Sequence, residues 1–398
     1  MIEVYTNQIF SGKLFQDSSN FIFEYQDYSS AISMIMPPTK KLYYRKHFLH
    51  PFFEMFLPEG YLYELLKQIL TKEYGTINDY QIFEYLAPNI EARVTFKTDK
   101  AKTEFKDLPS LEEILARDSQ DSFFGLLRKF MVKNAIGGIH PKTIVPITGK
   151  AKTEVREYIV KTWGEEFPCL SENEYFSMKA AQRAGIIIPE IQLSENKTFL
   201  VVKKFNVDEK NNYYGFEEIL GLTGKNISEK YNGSYENVSK IVFNATGGDD
   251  LSMLQLYKII VLNFIIKNGD AHLRNFGVLY DKEMKNIRLS PAYDIVTTVA
   301  YLFKDKPALT MDGRKVWLGI NELKKYGQKF CFLTEKNCND IIEECKSAVF
   351  DTACQLQDYI RDNNKFAPIG KRMIDIWLYS LNQKDTIKEL PDDIIRAW

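Results

Sequence analysis

Asn268-Gly269-Asp270-Ala271-His272-Leu273-Arg274-Asn275, followed by Tyr293-Asp294, is the stretch on which the reading of this chain turns. It sets out an Asp, an Asn five positions later and a second Asp after a short insertion. Phosphoryl-transfer enzymes of kinase type use such a set. The first Asp accepts or orients the hydroxyl proton of the acceptor, and the Asn and second Asp hold Mg²⁺ against a nucleoside triphosphate. Asp and Asn also recur in ordinary loops as caps and turns, so D-x4-N alone is weak. Its surroundings strengthen it. Leu251 to Lys267 is apolar almost all round and reads as a buried helix stopped by Asn268-Gly269. Two acidic groups and a His therefore follow directly from the core. The hairpin-like stretch 277–290 then brings Asp294 across to the metal site.

Composition leaves room for this chemistry. At 398 residues the chain can bury a large core and is expected to divide into two or three domains. Hydrophobic residues at 45%, with 27 Phe and 23 Tyr, mark a globular protein. Lys plus Arg total 52 against 53 acids, a net charge of −1, so the overall basic bias of an autonomous nucleic-acid binder is missing. Met1-Ile2-Glu3-Val4-Tyr5-Thr6 starts like a strand rather than a targeting signal. Gln255, Lys258, Asn263 and Lys267 interrupt the apolar run at 251–267 and argue against a membrane span. The five cysteines (Cys169, Cys331, Cys338, Cys345, Cys354) include no C-x-x-C pair, and with four His no zinc site is expected. Reduced, mostly buried thiols in a cytoplasmic protein are the simplest account.

Patterning along the chain predicts an α+β protein. Residues 1–35 alternate as strands and hairpins do, Pro51 to Leu70 opens a helical stretch, and Ala92 to Phe96 reads as a strand. Lys97 to Lys106 is a lysine-rich linker or exposed hairpin, and 111–131 carries a helical apolar stripe through Phe123, Leu127 and Phe130. Lys142-Thr143-Ile144-Val145 and Glu157 to Lys161 predict two antiparallel strands, and Phe199 to Lys203 another, with a helix at 173–184. Beyond Gly215 helical periodicity dominates, at 216–221, 235–246, 251–267, 338–362 and 371–382. The expectation is a two-lobed, protein-kinase-like plan with the nucleotide in the cleft: a module at 1–130, a strand-rich ATP-binding lobe at 131–205 and a helical catalytic lobe at 206–398.

Further parts of such a site can be sought. Lys161 ends a predicted strand; read alone it is an ordinary strand-end lysine, but with Asp270, Asn275 and Asp294 downstream it becomes the lysine that grips the α/β-phosphates. Glu174, early in the next helix, is its candidate partner, although the helix dipole also favours an acid there. Ile136-Gly137-Gly138-Ile139-His140-Pro141-Lys142-Thr143 offers two glycines whose N–H groups can approach phosphate, and Lys142 adds charge. It matches neither G-x-G-x-x-G nor Walker A, and a glycine turn before a strand is an equal reading. Val201-Val202-Lys203-Lys204-Phe205 is either the connection that meets adenine or a plain core strand. His272 reads as a structural histidine beside the catalytic turn, since Mg²⁺ prefers oxygen.

Taken in order, these segments resemble the HipA family, the serine/threonine kinase toxins of bacterial toxin–antitoxin modules. Pro51-Phe52-Phe53 to Leu57-Pro58-Glu59 is similar to the family's amino-terminal motif, and Gly137 to Thr143 sits where the family has its phosphate loop. Ile159-Val160-Lys161, Asn173-Glu174-Tyr175-Phe176, Gly185 to Pro189 and Phe216 to Leu222 match in turn. Asn268 to Phe276, with Leu289-Ser290-Pro291-Ala292-Tyr293-Asp294-Ile295, is the most specific part. The resemblance implies a kinase fold using ATP and Mg²⁺. It implies Asp270 as catalytic base and Asn275 and Asp294 as metal ligands. Gly137, Gly138, Ile139, His140, Pro141, Lys142, Lys161, Lys203, Lys204, Phe205, His272 and Tyr293 would then surround the nucleotide. It further implies a protein substrate such as an aminoacyl-tRNA synthetase, a small helix-turn-helix antitoxin (HipB-like) that reaches DNA on the toxin's behalf, and no membrane role.

Two departures stand out. Where the family carries an autophosphorylated serine this chain has Lys133-Asn134-Ala135-Ile136, so that switch is absent or moved to Thr143 or another residue. Pro141 lacks an N–H, which leaves the loop fewer backbone donors. Two rival readings remain: a small-molecule kinase, and a nucleotide-binding regulatory protein without turnover.

Overall fold

The structure is a computed structural model that describes residues 1–398 apart from 28, 101, 132–141, 149–154, 392–393 and 395–398. The fold is α+β and forms two compact units. The first comprises Met1–Gly164, Ser194–Glu229 and Leu279–Asn286; the second comprises Glu165–Leu193, Lys230–Val278 and Ile287–Trp398.

The first unit opens with β1 (Ile2–Thr6), β2 (Ile9–Asp17), β3 (Asn20–Tyr25) and β4 (Leu42–Lys46), joined later by β5 (Val94–Lys97) in an antiparallel sheet of order β4-β3-β2-β1-β5. Strand β1 buries Ile2, Val4 and Thr6 and turns Glu3 and Tyr5 outward, the alternation that a one-sided sheet demands. The helical stretch expected from residue 51 is two helices, α1 (Pro51–Glu54) and α2 (Gly60–Tyr74), because Pro58 and a left-handed Gly60 (φ 57°) interrupt it. Helix α1 is wholly buried, and Phe53 packs with Phe23 and Phe83 at ring separations of 5.6 and 5.8 Å. The Phe-rich motif at 51–59 thus builds core. After α3 (Asp79–Leu86), the single helix expected at 111–131 is also two, α4 (Leu111–Ala116) and α5 (Gln120–Phe130). The break holds buried Asp118, whose carboxylate accepts the Asn196 and Thr198 N–H groups at 2.9 and 3.2 Å. A helix through 118 would lose those bonds.

Strands β6 (Lys142–Thr148) and β7 (Val155–Lys161) pair antiparallel from Lys142↔Lys161 to Thr148↔Val155, as expected. The chain then enters the second unit with α6 (Leu170–Arg183) and β8 (Ile191–Leu193), and returns with β9 (Leu200–Lys203), which pairs with β7. Val145, Tyr158, Val160 and Val201 share one apolar cluster with Leu14, Phe53 and Phe83. The packing therefore continues across the boundary expected near residue 130. Residues 216–221, expected helical, are instead β10 (Gly215–Glu218) followed by the short α7 (Ile219–Leu222).

The second unit is helical: α8 (Tyr235–Thr246), α9 (Asp250–Ile265), α10 (Ile320–Phe330), α11 (Glu335–Tyr359) and α12 (Ala367–Leu381), with α11 packed on α6, α9 and α12. Helix α10 is one the patterning did not supply. Helix α9 is buried nearly all round, as its composition predicts, and its polar residues are partnered. Gln255 bonds the Ile187 N–H and the Gly185 carbonyl at 2.9 Å each, and Lys258 donates to Ala184 O at 2.9 Å. Strand β11 (Gly277–Tyr280) and the short β12 (Arg288–Leu289) form the expected hairpin region. Among the described residues no helix is long and apolar enough to cross a membrane. All five cysteines are free thiols, and four of them are buried.

Candidate active site

The site begins where α9 stops. Lys267 takes a left-handed conformation (φ 57°), and the Asn268 N–H reaches back to Asn263 O at 2.9 Å. This is a Schellman-type stop with lysine where glycine is usual, one residue earlier than Asn268-Gly269 suggests. Asn268 Oδ1 then accepts the Asp270 N–H at 3.1 Å, orienting the turn. Gly269 is required by space: a Cβ there would lie 2.0 Å from Asp305 Oδ2 and 2.8 Å from Lys306 O. Its N–H donates to Thr298 Oγ1 at 2.7 Å, and that hydroxyl donates to Lys267 O at 3.2 Å.

From Asp270 to Asn275 the chain makes a tight, internally bonded turn. His272 N–H donates to Asp270 O at 2.7 Å and Asn275 N–H to His272 O at 2.9 Å. Buried His272 accepts the Arg274 N–H on Nδ1 at 3.3 Å, so its ring braces the turn. Tyr293 Oη donates to Arg274 O at 2.8 Å, which ties the segment carrying Asp294 to the turn carrying Asp270 and Asn275. Asp294 has φ 54°, a left-handed conformation that Asp tolerates better than most residues and that gathers at functional sites. Asn173 of α6 grips the same segment: its Nδ2 donates to Thr297 O at 3.1 Å and its Oδ1 accepts the Thr297 N–H at 2.8 Å.

Electrostatics link the two acids. Burial pushes the Asp270 carboxyl above the ordinary carboxylate range; the Tyr231 hydroxyl and the Lys230 ammonium oppose that rise, while Asp294 and Asp305 add to it. Repulsion between Asp294 and Asp270 is what a hard divalent cation would relieve. Asn275 and Asp294 supply the amide and carboxylate oxygens that Mg²⁺ prefers. Among the described residues no three His, Cys, Asp or Glu form a cage for a metal. That is compatible with Mg²⁺, which typically takes one or two carboxylates and completes its shell with substrate phosphate and water.

The strand residues belong to the first unit. Lys142 and Lys161 stand directly opposite each other in β6 and β7, and both are buried. Cross-strand partners share a sheet face, so the two lysine side chains leave the sheet on the same side. Glu174 is buried in α6, in the second unit. Lys203 pairs with Glu209 at 3.1 Å. Lys204 pairs with Glu157 at 2.5 Å, and its backbone N–H donates to Glu157 O at 3.1 Å. Phe205 meets Phe216 edge-on at 5.4 Å. An open cavity of about 680 Å³ adjoins Lys203 and Lys204, but these pairs, with Lys102–Glu91 at 3.0 Å, balance charge within it. Gly137, Gly138, Ile139, His140 and Pro141 lie outside the described residues, as does Ala135. Thr143, the alternative acceptor, is fully buried in β6.

Sequence reading missed Tyr231, Lys230, Thr298 and Asp305. No local motif marks them, and Tyr231 reaches Asp270 across 39 positions. It also gave no sign of the environment of Lys267. That side chain is buried, donates to Phe264 O at 3.1 Å and Gln383 Oε1 at 2.6 Å, and lies 5.3 Å from the Trp317 ring centroid. Burial lowers its pKa to about 7. The folded state thus sheds a proton that the unfolded chain retains. The contribution of Lys267 to stability should rise from about pH 7 toward 10.5, by up to about 1.4 kcal/mol per pH unit, and be level outside that window. Lys267→Met should flatten this rise. Parallel denaturation profiles for the two proteins across the window would remove Lys267 as its source.

The fold is kinase-like. A chain of the Shewanella oneidensis MR-1 toxin–antitoxin complex of HipA, HipB and operator DNA superposes with a TM-score of 0.68 over 96% of both chains, at 14% identity. The HipA-like C-terminal domain profile matches residues 134–353, more than half of the chain, and the HipA N-terminal domain profile matches 2–90. The chain belongs to the HipA-like family. A Haemophilus influenzae protein named "Putative kinase" is 28% identical over 42% of this chain and 53% of its own length. The Sinorhizobium fredii protein "Putative kinase Y4mE" is 26% identical over 39% of this chain and 38% of its own. The chain thus spans about half, or less, of the length of these relatives.

Proposed function

We propose that this chain is an ATP- and Mg²⁺-dependent serine/threonine protein kinase of HipA type. The observation that carries the proposal is the linkage of Asp270, Asn275 and Asp294 within one unit, through the Tyr293–Arg274 bond and the mutual influence of the two carboxylates. Asp270 orients the acceptor hydroxyl and takes its proton as the γ-phosphoryl group is transferred. The resemblance to the family makes Lys142 and Lys161 the candidates for nucleotide contact. Asn275 and Asp294 would hold Mg²⁺, which when bound neutralises phosphate charge. The raised pKa of Asp270 makes it a stronger proton acceptor than an exposed aspartate, although protonated over more of the acid range.

By the same family likeness, the acceptor is a protein, such as an aminoacyl-tRNA synthetase, so that phosphorylation inhibits translation. The partner is a small helix-turn-helix antitoxin through which the complex reaches DNA. Phosphoproteomics after induced expression tests the substrate, since a specific new phosphoserine or phosphothreonine names it. Phosphate appearing only on small alcohols would replace the protein-kinase reading with a small-molecule one. Asp294→Ala should weaken Mg²⁺-dependent ATP binding by about tenfold or more, roughly 1.4 kcal/mol. Calorimetry that returns wild-type affinity for this variant would end the metal role of Asp294.

A further inference from the structure

We infer that Tyr231 is a phosphate acceptor of the chain itself, its hydroxyl standing in cis where an acceptor hydroxyl would meet Asp270. The inference rests on the phosphoryl-transfer reading above and adds a phenol to the serine and threonine hydroxyls proposed there as acceptors. Tyr231 Oη donates to Asp270 Oδ1 at 2.7 Å, the geometry a general base needs toward the hydroxyl it is to deprotonate. The side chain is held there. Its ring meets His272 edge-on at 5.2 Å, and Lys230 Nζ lies 5.4 Å from the ring centroid. The backbone on both sides is tied down as well: Lys230 O accepts the Leu273 N–H at 3.1 Å, and Tyr231 O accepts a bond from Lys315 Nζ at 3.2 Å. Tyr231 nevertheless remains 39% exposed, so a phosphate group can be accommodated on the solvent side.

The chemistry balances without a further reactant beyond a nucleoside triphosphate. The phenolic oxygen attacks the γ-phosphorus and the Oη–P bond forms. The bond from that phosphorus to the β–γ bridging oxygen breaks, and the nucleoside diphosphate leaves with the electron pair. The phenolic proton passes to the Asp270 carboxylate and then to water. Burial first, and then the Asp270 charge, push the phenol above its ordinary range, so the proton stays on oxygen until a base removes it. Asp270 is the base in hydrogen-bond contact with it.

The full chain is incubated with ATP and Mg²⁺, and its peptides are mapped by mass spectrometry. The peptide containing Tyr231 should gain one phosphate in the wild type and none in Asp270→Asn. In an equimolar mixture, Tyr231 of the Asp270→Asn chain, marked by its mass, should stay unmodified. Phosphate on another residue or on an added protein, with Tyr231 clean, overturns this inference and leaves the kinase reading standing. Modification of Asp270→Asn by the wild type overturns transfer in cis. Transfer to nothing at all overturns both.

Discussion

Asp270→Asn is expected to lower phosphoryl transfer by about 10²–10⁴-fold, the usual worth of a positioned general base, while the protein still folds. The amide keeps the shape of the carboxylate and one oxygen for the Tyr231 hydroxyl, so the turn retains that contact. What disappears is the capacity to take a proton. The variant should be as stable as the wild type or more so at neutral pH. Burial holds the Asp270 carboxyl above its ordinary range, so the native state favours the protonated form. Its contribution to stability is present in acid and is lost as pH rises through the folded value. Asparagine never ionises, so any gain appears above that value and vanishes in acid. Wild-type rates of label transfer in Asp270→Asn, with contaminating kinases excluded, would remove Asp270 from the mechanism. A large fall in melting temperature would recast it as a structural residue.

Glu217→Ala is expected to have the largest effect on stability, about 3 kcal/mol or more. Glu217 is a buried carboxylate of the first unit that accepts bonds from Ser33 Oγ at 2.6 Å, the Met34 N–H at 2.8 Å and Tyr280 Oη at 2.7 Å. Burial raises the Glu217 pKa above the ordinary carboxylate range, and these three bonds and the Arg93 guanidinium, 5.3 Å from the Tyr280 ring centroid, oppose that rise. Alanine would strand three donors, of which the Ser33 and Tyr280 hydroxyls are buried, and each carries its own desolvation cost. For a unit of about 200 residues each kcal/mol is worth about 2–4 °C, so thermal unfolding should fall by roughly 6–12 °C. Glu217→Gln keeps one carbonyl acceptor and the shape, and should lose clearly less. Equal melting temperatures for the alanine, glutamine and wild-type chains would show that the bonds are not coupled to folding.

The same residue explains where sequence reading fell short. Phe216 to Gly221 fits a helical pattern, yet 215–218 is strand, because the Glu217 carboxylate is held by partners as far as 184 positions away. Asp118 breaks the expected helix at 111–131 in the same way, through bonds to residues near 196. Where the signal is local, the reading agrees with the structure. β6, β7, α8, α9 and α12 fall close to their expected places, because strand alternation and helical periodicity are set by neighbouring side chains.

By itself the sequence determined the α+β class, the family likeness, the buried character of α9 and the identity of the candidate acid–amide–acid set. All of these depend on residue type and spacing over a few turns. Only the tertiary structure decided that Tyr231 donates to Asp270, that Asn173 and Thr297 brace the Asp294 segment, that Lys142 stands opposite Lys161, and that Lys267 is buried beside Trp317. Hydrogen bonding and burial join groups that the backbone keeps far apart in sequence. A side chain's partners, and with them its charge and chemistry, exist only once the chain has closed around it.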